Sequence, residues 1–229
     1  MGNHTSELPK PFLSVGGRTL FEHQLKALAP VCDEVLMAVG YGCEDNDVQV
    51  ILENHVSVPE SLTIETLVVD KWDDYENSWT CYQALNSEYM STEEHVLLLC
   101  GDIVIEPHLL ADFTATFERS LDPSYSYVLT IEGIQDEHTA VLWDEDMRIT
   151  DYGAIEGHRE AGVFLLNETH IETARRVLEQ RRDDWFPIVF EEVDSKPYLI
   201  DEDRHTEINT PEDLKRAKES LPFGLAARR

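Results

Sequence analysis

The first regular pattern in the chain is helical. In "TLFEHQLKALAPV", Leu20, Phe21, Gln24, Leu25 and Leu28 fall near one helical face. "CDEVLMAVGYG" then reads as a buried strand ending in a Gly-rich turn, "EDNDVQVILENHV" as a helix, "LTIETLVVD" as a strand, and "NSWTCYQALNSEY" as a helix starting near Asn77 or Ser78. "EHVLLLCGDIVI" is the strongest strand signal and ends at Gly101-Asp102; "PHLLADFTATFERSL" follows as a helix with Pro107 in a tolerant first-turn position. From Tyr125 the pattern changes. "SYVLTIEG", "TAVLWDEDMRITDYG" and "AGVFLLN" read as strands at hairpin spacing, with a turn from Asp144 to Met147. Two helices close the chain, "ETHIETARRVLEQRRDD" and "TPEDLKRAKESL". In the second, Thr210 is the expected N-cap, Pro211 takes the first helical position and Asp213 the third.

Helix–strand alternation followed by hairpin-spaced strands predicts an α/β fold. It would have a Rossmann-like, mixed but mainly parallel sheet with flanking helices and a small antiparallel extension. No linker or repeat divides the chain. A single domain over 1–221 with a loose tail at 222–229 is expected.

Charge narrows the function. The 229 residues include 46 acidic and 18 basic side chains, a formal net charge of −28. This excludes a bare nucleic-acid binder, which needs a basic stripe against phosphates. Dispersed acidity with few lysines points to a high-salt cytoplasm, where salt screens self-repulsion. No apolar run spans a bilayer and no signal peptide opens the sequence, so a cytoplasmic location is expected. Cys32, Cys43, Cys81 and Cys100 form no CxxC pair and are expected as free thiols.

Ligands of open α/β sheets sit beyond the carboxyl ends of the strands, which draws attention to Asp102. A carboxylate there, preceded by Gly101, suits a Mg²⁺ ion on a phosphate; capping the next segment is the alternative. Lys10, between two prolines, suits a triphosphate as a point charge, or is a solvated surface lysine. Asn209 in "HTEINTPEDL" offers a neutral oxygen to the same metal, or introduces the helix through an Asx turn. "VVDKWDDYENSWTCYQAL" interleaves Trp72, Tyr75 and Trp79 with Asp70, Asp73, Asp74 and Asn77, a composition suited to a base, a sugar or a quaternary amine, or to core packing. Histidine metal spacings, a GxSxG elbow, a Walker loop and a complete GxGxxG do not occur.

"LPKPFLSVGGRTLFEHQLKAL", "LLLCGDIVI" and "EINTPEDLKRA" together resemble, in order and spacing, the nucleotidyltransferases that activate sugar 1-phosphates and phospho-alcohols, within the MobA-like superfamily. The resemblance spans residues 2–220. Over residues 70–80 it narrows to choline-phosphate and inositol-phosphate cytidylyltransferases: Asn77 and Thr80 fall on that branch's pattern, while Asp70 and Glu76 replace asparagines. The resemblance implies a sheet of the nucleotide-diphospho-sugar transferase type. It also implies Mg²⁺ held by Asp102 and Asn209, phosphate charge met by Lys10, and a nucleotide and acceptor lined by Asn77, Thr80, Gly101 and Gly162. The implied substrates are a nucleoside triphosphate and a sugar 1-phosphate or phospho-alcohol, and a homo-oligomer is compatible. The family's first strand and most of its Gly-rich loop have no counterpart. "GNHTSE" stands at the loop's end, with His4 nearest the arginine position. The expected account is a start upstream of Met1; a shortened, catalytically impaired relative that binds nucleotide or a partner without turnover is the alternative.

Overall fold

The structure, a computed structural model, describes residues 9–40, 43, 47–133, 139–154 and 156–219. His4 and the tail at 222–229 lie outside them. The chain forms two compact units, each built from separated stretches of sequence. One comprises Met1–Val68, Cys100–Ser120 and Glu202–Arg229; the other comprises Val69–Leu99 and Leu121–Asp201.

In the first unit a 3-10 turn, Lys10–Phe12, leads into strands β1 (Ser14–Val15) and β2 (Arg18–Thr19), then helix α1 (Leu20–Leu28), strand β3 (Glu34–Val39), helix α2 (Asp47–His55) and strand β4 (Thr63–Val68). Gly16 and Gly17 both have positive φ, 59° and 82°, the backbone a two-residue hairpin between β1 and β2 requires. α1 begins at once because Thr19 caps it. Its Oγ1 accepts from Glu22 N–H at 3.1 Å, and Glu22 Oε2 accepts from Thr19 N–H at 2.6 Å. β3 and β4 pair in parallel from Glu34↔Thr63 to Val39↔Val68, the βαβ unit that the helix–strand alternation predicts.

In the second unit the chain supplies helix α3 (Asn77–Leu85) and strand β5 (Val96–Leu99). The first unit resumes with strand β6 (Ile103–Ile105) and helix α4 (Leu109–Ser120). The second then takes strands β7 (Ser126–Ile131), β8 (Ala140–Trp143), β9 (Ile149–Ala154) and β10 (His158–Leu166), helices α5 (Ile171–Gln180) and α6 (Val189–Glu192), and strand β11 (Ser195–Ile200). The chain returns to the first unit for strand β12 (His205–Glu207) and helix α7 (Pro211–Glu219).

The second unit's sheet is mixed, in the order β11-β7-β10-β8-β9 with β5 also on β10. β11 runs parallel to β7; the remaining pairs are antiparallel, and β8–β9 is the expected hairpin. The turn from Asp144 is built on that residue's carboxylate, whose Oδ1 accepts from the N–H groups of Asp146 and Arg148 at 2.9 Å each. The α/β class and its mixed sheet with flanking helices agree with the reading of the sequence. All four cysteines are free; burial pushes the Cys81 thiol up to about 12.

"EHVLLLCGDIVI" is the one segment the structure divides. Its apolar run is two strands, β5 and β6, in different sheets of different units. The turn at Gly101-Asp102 separates them. β6 pairs antiparallel with β12, His205↔Ile105 through Glu207↔Ile103, an edge the sequence pattern did not predict because three residues show no periodicity.

Candidate active site

Three side chains distant in sequence converge in the first unit, and each is placed by its own local cause. Lys10 sits on the 3-10 turn between Pro9 and Pro11, whose rings fix φ on both sides. Phe12, the last residue of the turn, is buried edge-on against Phe21 of α1, with ring centroids 6.5 Å apart. This anchors the turn and leaves the Lys10 side chain half-buried.

Asp102 lies in the turn between β5 and β6. Gln24 of α1 holds that turn from beneath: its Nε2 donates to the carbonyl of Cys100 at 2.8 Å and to that of Ile103 at 3.1 Å. Gln24 is only 5% exposed, so these two bonds satisfy a polar group that burial would otherwise penalise. Gly101 lets the two turns approach closely. A Cβ there would stand 3.3 Å from Pro11 Cγ, tighter than ordinary van der Waals contact, so Pro11 would have to give by a few tenths of an ångström.

Asn209 is carried by the same ladder that carries Asp102. The β6–β12 register continues one step beyond the strands, where Ile208 N–H donates to the carbonyl of Asp102 at 2.9 Å. Ile208 packs with Val15, Leu20, Val104, Leu214 and Ala217 in one buried cluster, which locks the ladder to α1 and α7. Asn209 then meets the start of α7. Thr210 and Asp213 cap that helix as predicted: Thr210 Oγ1 accepts from Asp213 N–H at 3.2 Å, and Asp213 Oδ2 accepts from the N–H groups of Thr210 at 2.8 Å and Asn209 at 3.2 Å. Desolvation pushes the Asp213 carboxyl up, but the hydrogen bonds from Thr210 and Asn209 and the Arg216 charge outweigh it and leave it lowered.

The result is a single cation held between two oxygens. Lys10 Nζ donates to Asp102 Oδ2 at 2.8 Å and to Asn209 Oδ1 at 2.9 Å. Asn209 Nδ2 turns the other way and donates to Glu207 Oε1 at 2.5 Å. The ammonium marks a position where one charged and one neutral hard oxygen meet a cation. Mg²⁺, which takes one or two protein oxygens and completes its octahedron with phosphates and water, fits such a pair. Among the described residues there is no cluster of three or more His, Cys, Asp or Glu side chains that could hold a metal.

Asn77, Thr80 and Gly162 belong to the second unit. Asn77 opens α3, and its Oδ1 accepts from Phe186 N–H at 2.7 Å, tying the helix to the turn that follows Trp185. Thr80 is half-buried on α3. Gly162 is buried in β10 with φ of 65°, at the register shift between Glu160 and Phe164, and its N–H donates to Glu160 Oε2 at 3.0 Å. Only glycine takes that backbone without strain. The aromatics of residues 72–82 form a ladder, with Tyr75 and Trp79 5.3 Å apart and Trp79 and Tyr82 stacked at 5.1 Å. Arg182 covers Tyr75 at 4.8 Å, and Trp79 Nε1 donates to the Asp70 carbonyl at 2.8 Å. Trp72 remains 41% exposed.

Sequence reasoning did not assign roles to Gln24 or Glu207. Both left a signal. Gln24 is an amide on an otherwise apolar helix face. Glu207 lies two residues before Asn209 on a strand, where alternate side chains share a side.

Among the described residues, no helix is long and apolar enough to cross a membrane. A search of curated proteins gives no match. Solved structures match over nearly the whole chain at low identity, and so report on fold. The inositol-1-phosphate CTP transferase from T. maritima has a TM-score of 0.68 at 17% identity, covering 97% of this chain and 91% of that one. The CTP:phosphocholine cytidylyltransferase from Streptococcus pneumoniae has 0.67 at 16%, covering 96% and 92%. The nucleoside-diphosphate-sugar pyrophosphorylase from Vibrio cholerae has 0.68 at 14%, covering 94% and 93%. Residues 1–160, which include Lys10, Gly101 and Asp102, match the MobA-like NTP transferase domain, and the chain belongs to that nucleotidyltransferase family.

Proposed function

We propose that this nucleotidyltransferase moves a nucleoside monophosphate, CMP or UMP/dTMP, from its triphosphate to a sugar 1-phosphate or a phospho-alcohol. A phosphate oxygen of the acceptor attacks the α-phosphorus. One P–O bond forms as the bond from the α-phosphorus to the bridging oxygen breaks, and pyrophosphate leaves with the electron pair. Such a reaction asks for positioning and charge neutralisation more than covalent help from the protein. The observation that carries the reading is the meeting of Lys10, Asp102 and Asn209 at one cation position.

Asp102 and Asn209 are the residues that would hold Mg²⁺. When bound, the ion supplies positive charge against the triphosphate oxygens. Lys10 would then leave the two oxygens and place its ammonium on the phosphates, a second positive charge in a strongly acidic protein. We assign Asn77 and Thr80 of the second unit to lining the nucleotide or the acceptor, and Gly162 to the acceptor. Cytidine is the preferred base, because Asn77 and Thr80 lie in the segment that resembles cytidylyltransferases.

Pyrophosphate release tests the proposal. CTP, UTP and dTTP are each paired with sugar 1-phosphates, inositol 1-phosphate and phosphocholine in the presence of Mg²⁺. Metal-dependent release with one pair supports the reading. No release with any pair overturns it, and nucleotide-dependent stabilisation without turnover would then favour the non-catalytic binding alternative.

A further inference from the structure

We propose that Glu207 is a positioning residue that fixes which end of the Asn209 carboxamide faces the cation position; this rests on the cation reading of Asp102 and Asn209 given above. The two ends of a carboxamide are nearly equal in size and opposite in chemistry. The oxygen can ligate a cation; the NH₂ group cannot. Nothing in the backbone of Asn209 decides between them. Its N–H is held by Asp213 Oδ2, and this leaves the side-chain amide free to present either end.

The neighbouring charges do decide. Lys10 Nζ, which can only donate, takes the oxygen end of Asn209 while it stands between that residue and Asp102, but under the cation reading it leaves for the phosphates. Glu207 holds the same end from the other side, with or without Lys10. An ionised carboxylate can only accept, and Glu207 Oε1 takes the Asn209 Nδ2 donor at 2.5 Å, which turns Oδ1 toward Lys10 Nζ at 2.9 Å. Glu207 is itself set by the β6–β12 ladder, opposite Ile103, one residue from Asp102. One ladder therefore places the charged oxygen, the neutral oxygen and the residue that orients the neutral one.

The decisive experiment is a double-mutant cycle read by Mn²⁺ binding, with free Mn²⁺ followed by electron paramagnetic resonance, alone and with CTP. Glu207→Ala is expected to raise the Mn²⁺ dissociation constant about tenfold, the low end of the loss usual for groups that orient a ligand. Asn209→Asp makes orientation irrelevant, because both ends of a carboxylate are oxygen. Glu207→Ala in that background also relieves the repulsion between the two carboxylates and is therefore expected not to raise the constant. Equal losses in both backgrounds would assign Glu207 a general structural or electrostatic role and overturn the proposal. So would wild-type affinity in the single variant Glu207→Ala. Failure of the wild-type protein to bind Mn²⁺ under either condition would instead remove the cation reading, and this inference with it. The Asn209 side-chain amide protons give a metal-free check: slow exchange in the wild-type protein and fast exchange in Glu207→Ala are expected, and equal exchange rates overturn the orientation.

Discussion

Lys10 Nζ lies 2.8 Å from Asp102 Oδ2, although 92 residues separate the two in sequence. Both side chains keep about a quarter of their surface in water, 26% and 27%. An ion pair so exposed contributes at most about 1 kcal/mol to stability. Under the proposed function its role is to meet phosphate charge. Lys10→Ala is expected to leave the melting temperature within a few degrees of wild type and to lower kcat/KM for pyrophosphate release by about a hundredfold, the scale of one lost charge-stabilising donor. Calorimetry beside a coupled pyrophosphate assay separates the two effects.

Asp102→Asn removes the only charged oxygen of the pair while keeping the size of the side chain. The Asp102 backbone carbonyl still accepts from Ile208, so the ladder stays intact. Turnover is expected to fall at least about a hundredfold. The activity that remains should need much more Mg²⁺. A Mg²⁺ titration of the initial rate checks both, and an unchanged Mg²⁺ requirement would argue against Asp102 as the ligand.

Gln24 supports the turn that carries Asp102 from α1. Gln24→Ala leaves the carbonyls of Cys100 and Ile103 without their amide donor in a buried setting, at a cost of about 1–3 kcal/mol. Urea denaturation should show a lower midpoint. The same variant should lose turnover even where it is fully folded, because the turn that carries Asp102 is no longer held from α1.

The pH dependence of stability follows from two histidines. His23, buried on α1, donates its Nε2–H to the carbonyl of Val15 at 2.9 Å. Its pKa is lowered by desolvation first, with Arg18 and Lys26 acting the same way against the Val15 bond and Glu22. Desolvation also lowers that of His170 against the Asp194 charge. Each is therefore protonated more readily in the unfolded chain than in the folded one. Above about pH 6.5, the ordinary histidine value, both states are neutral and neither residue contributes to pH dependence. As pH falls through that value the unfolded state gains protons first and stability drops, levelling below the folded pKa values. Denaturant midpoints measured between pH 8 and 5.5 should fall toward acid, and His23→Gln should flatten the slope.

Salt is expected to stabilise the fold. At −28 net charge, screening relieves repulsion among carboxylates, and the screening length shrinks to about 3 Å at molar salt. The melting temperature should rise steadily from low to molar KCl; equal values in both would leave the acidity without a role in adaptation to salt.

Much of this was legible in the sequence for definite reasons. Thr210, Pro211 and Asp213 announce α7 because capping chemistry is local, and the structure shows the expected bonds. α1 and the β3–β4 pair follow from hydrophobic period. The break at Gly101-Asp102 was legible as a strand end, but not the departure of β6 to another sheet. Its partner β12 lies about a hundred residues away, and pairing across that distance leaves no local pattern. The same limit hid Glu207. Its carboxylate gains meaning only from Asn209's amide, and that amide only from Lys10 and Asp102.

The short ladder between β6 and β12 has a consequence for how such a protein can vary. Leu121–Asp201, with the β8–β9 hairpin and all of β10, enters the chain after β6 and leaves it before β12. The spacing of Asp102 and Asn209 is set by strand register, not by the length of chain between them. A loop in that insert can therefore grow, shrink or be exchanged while the two oxygens keep their separation. Under the proposed function, selectivity for a new acceptor can then evolve in one stretch of sequence without retuning the cation pair in another.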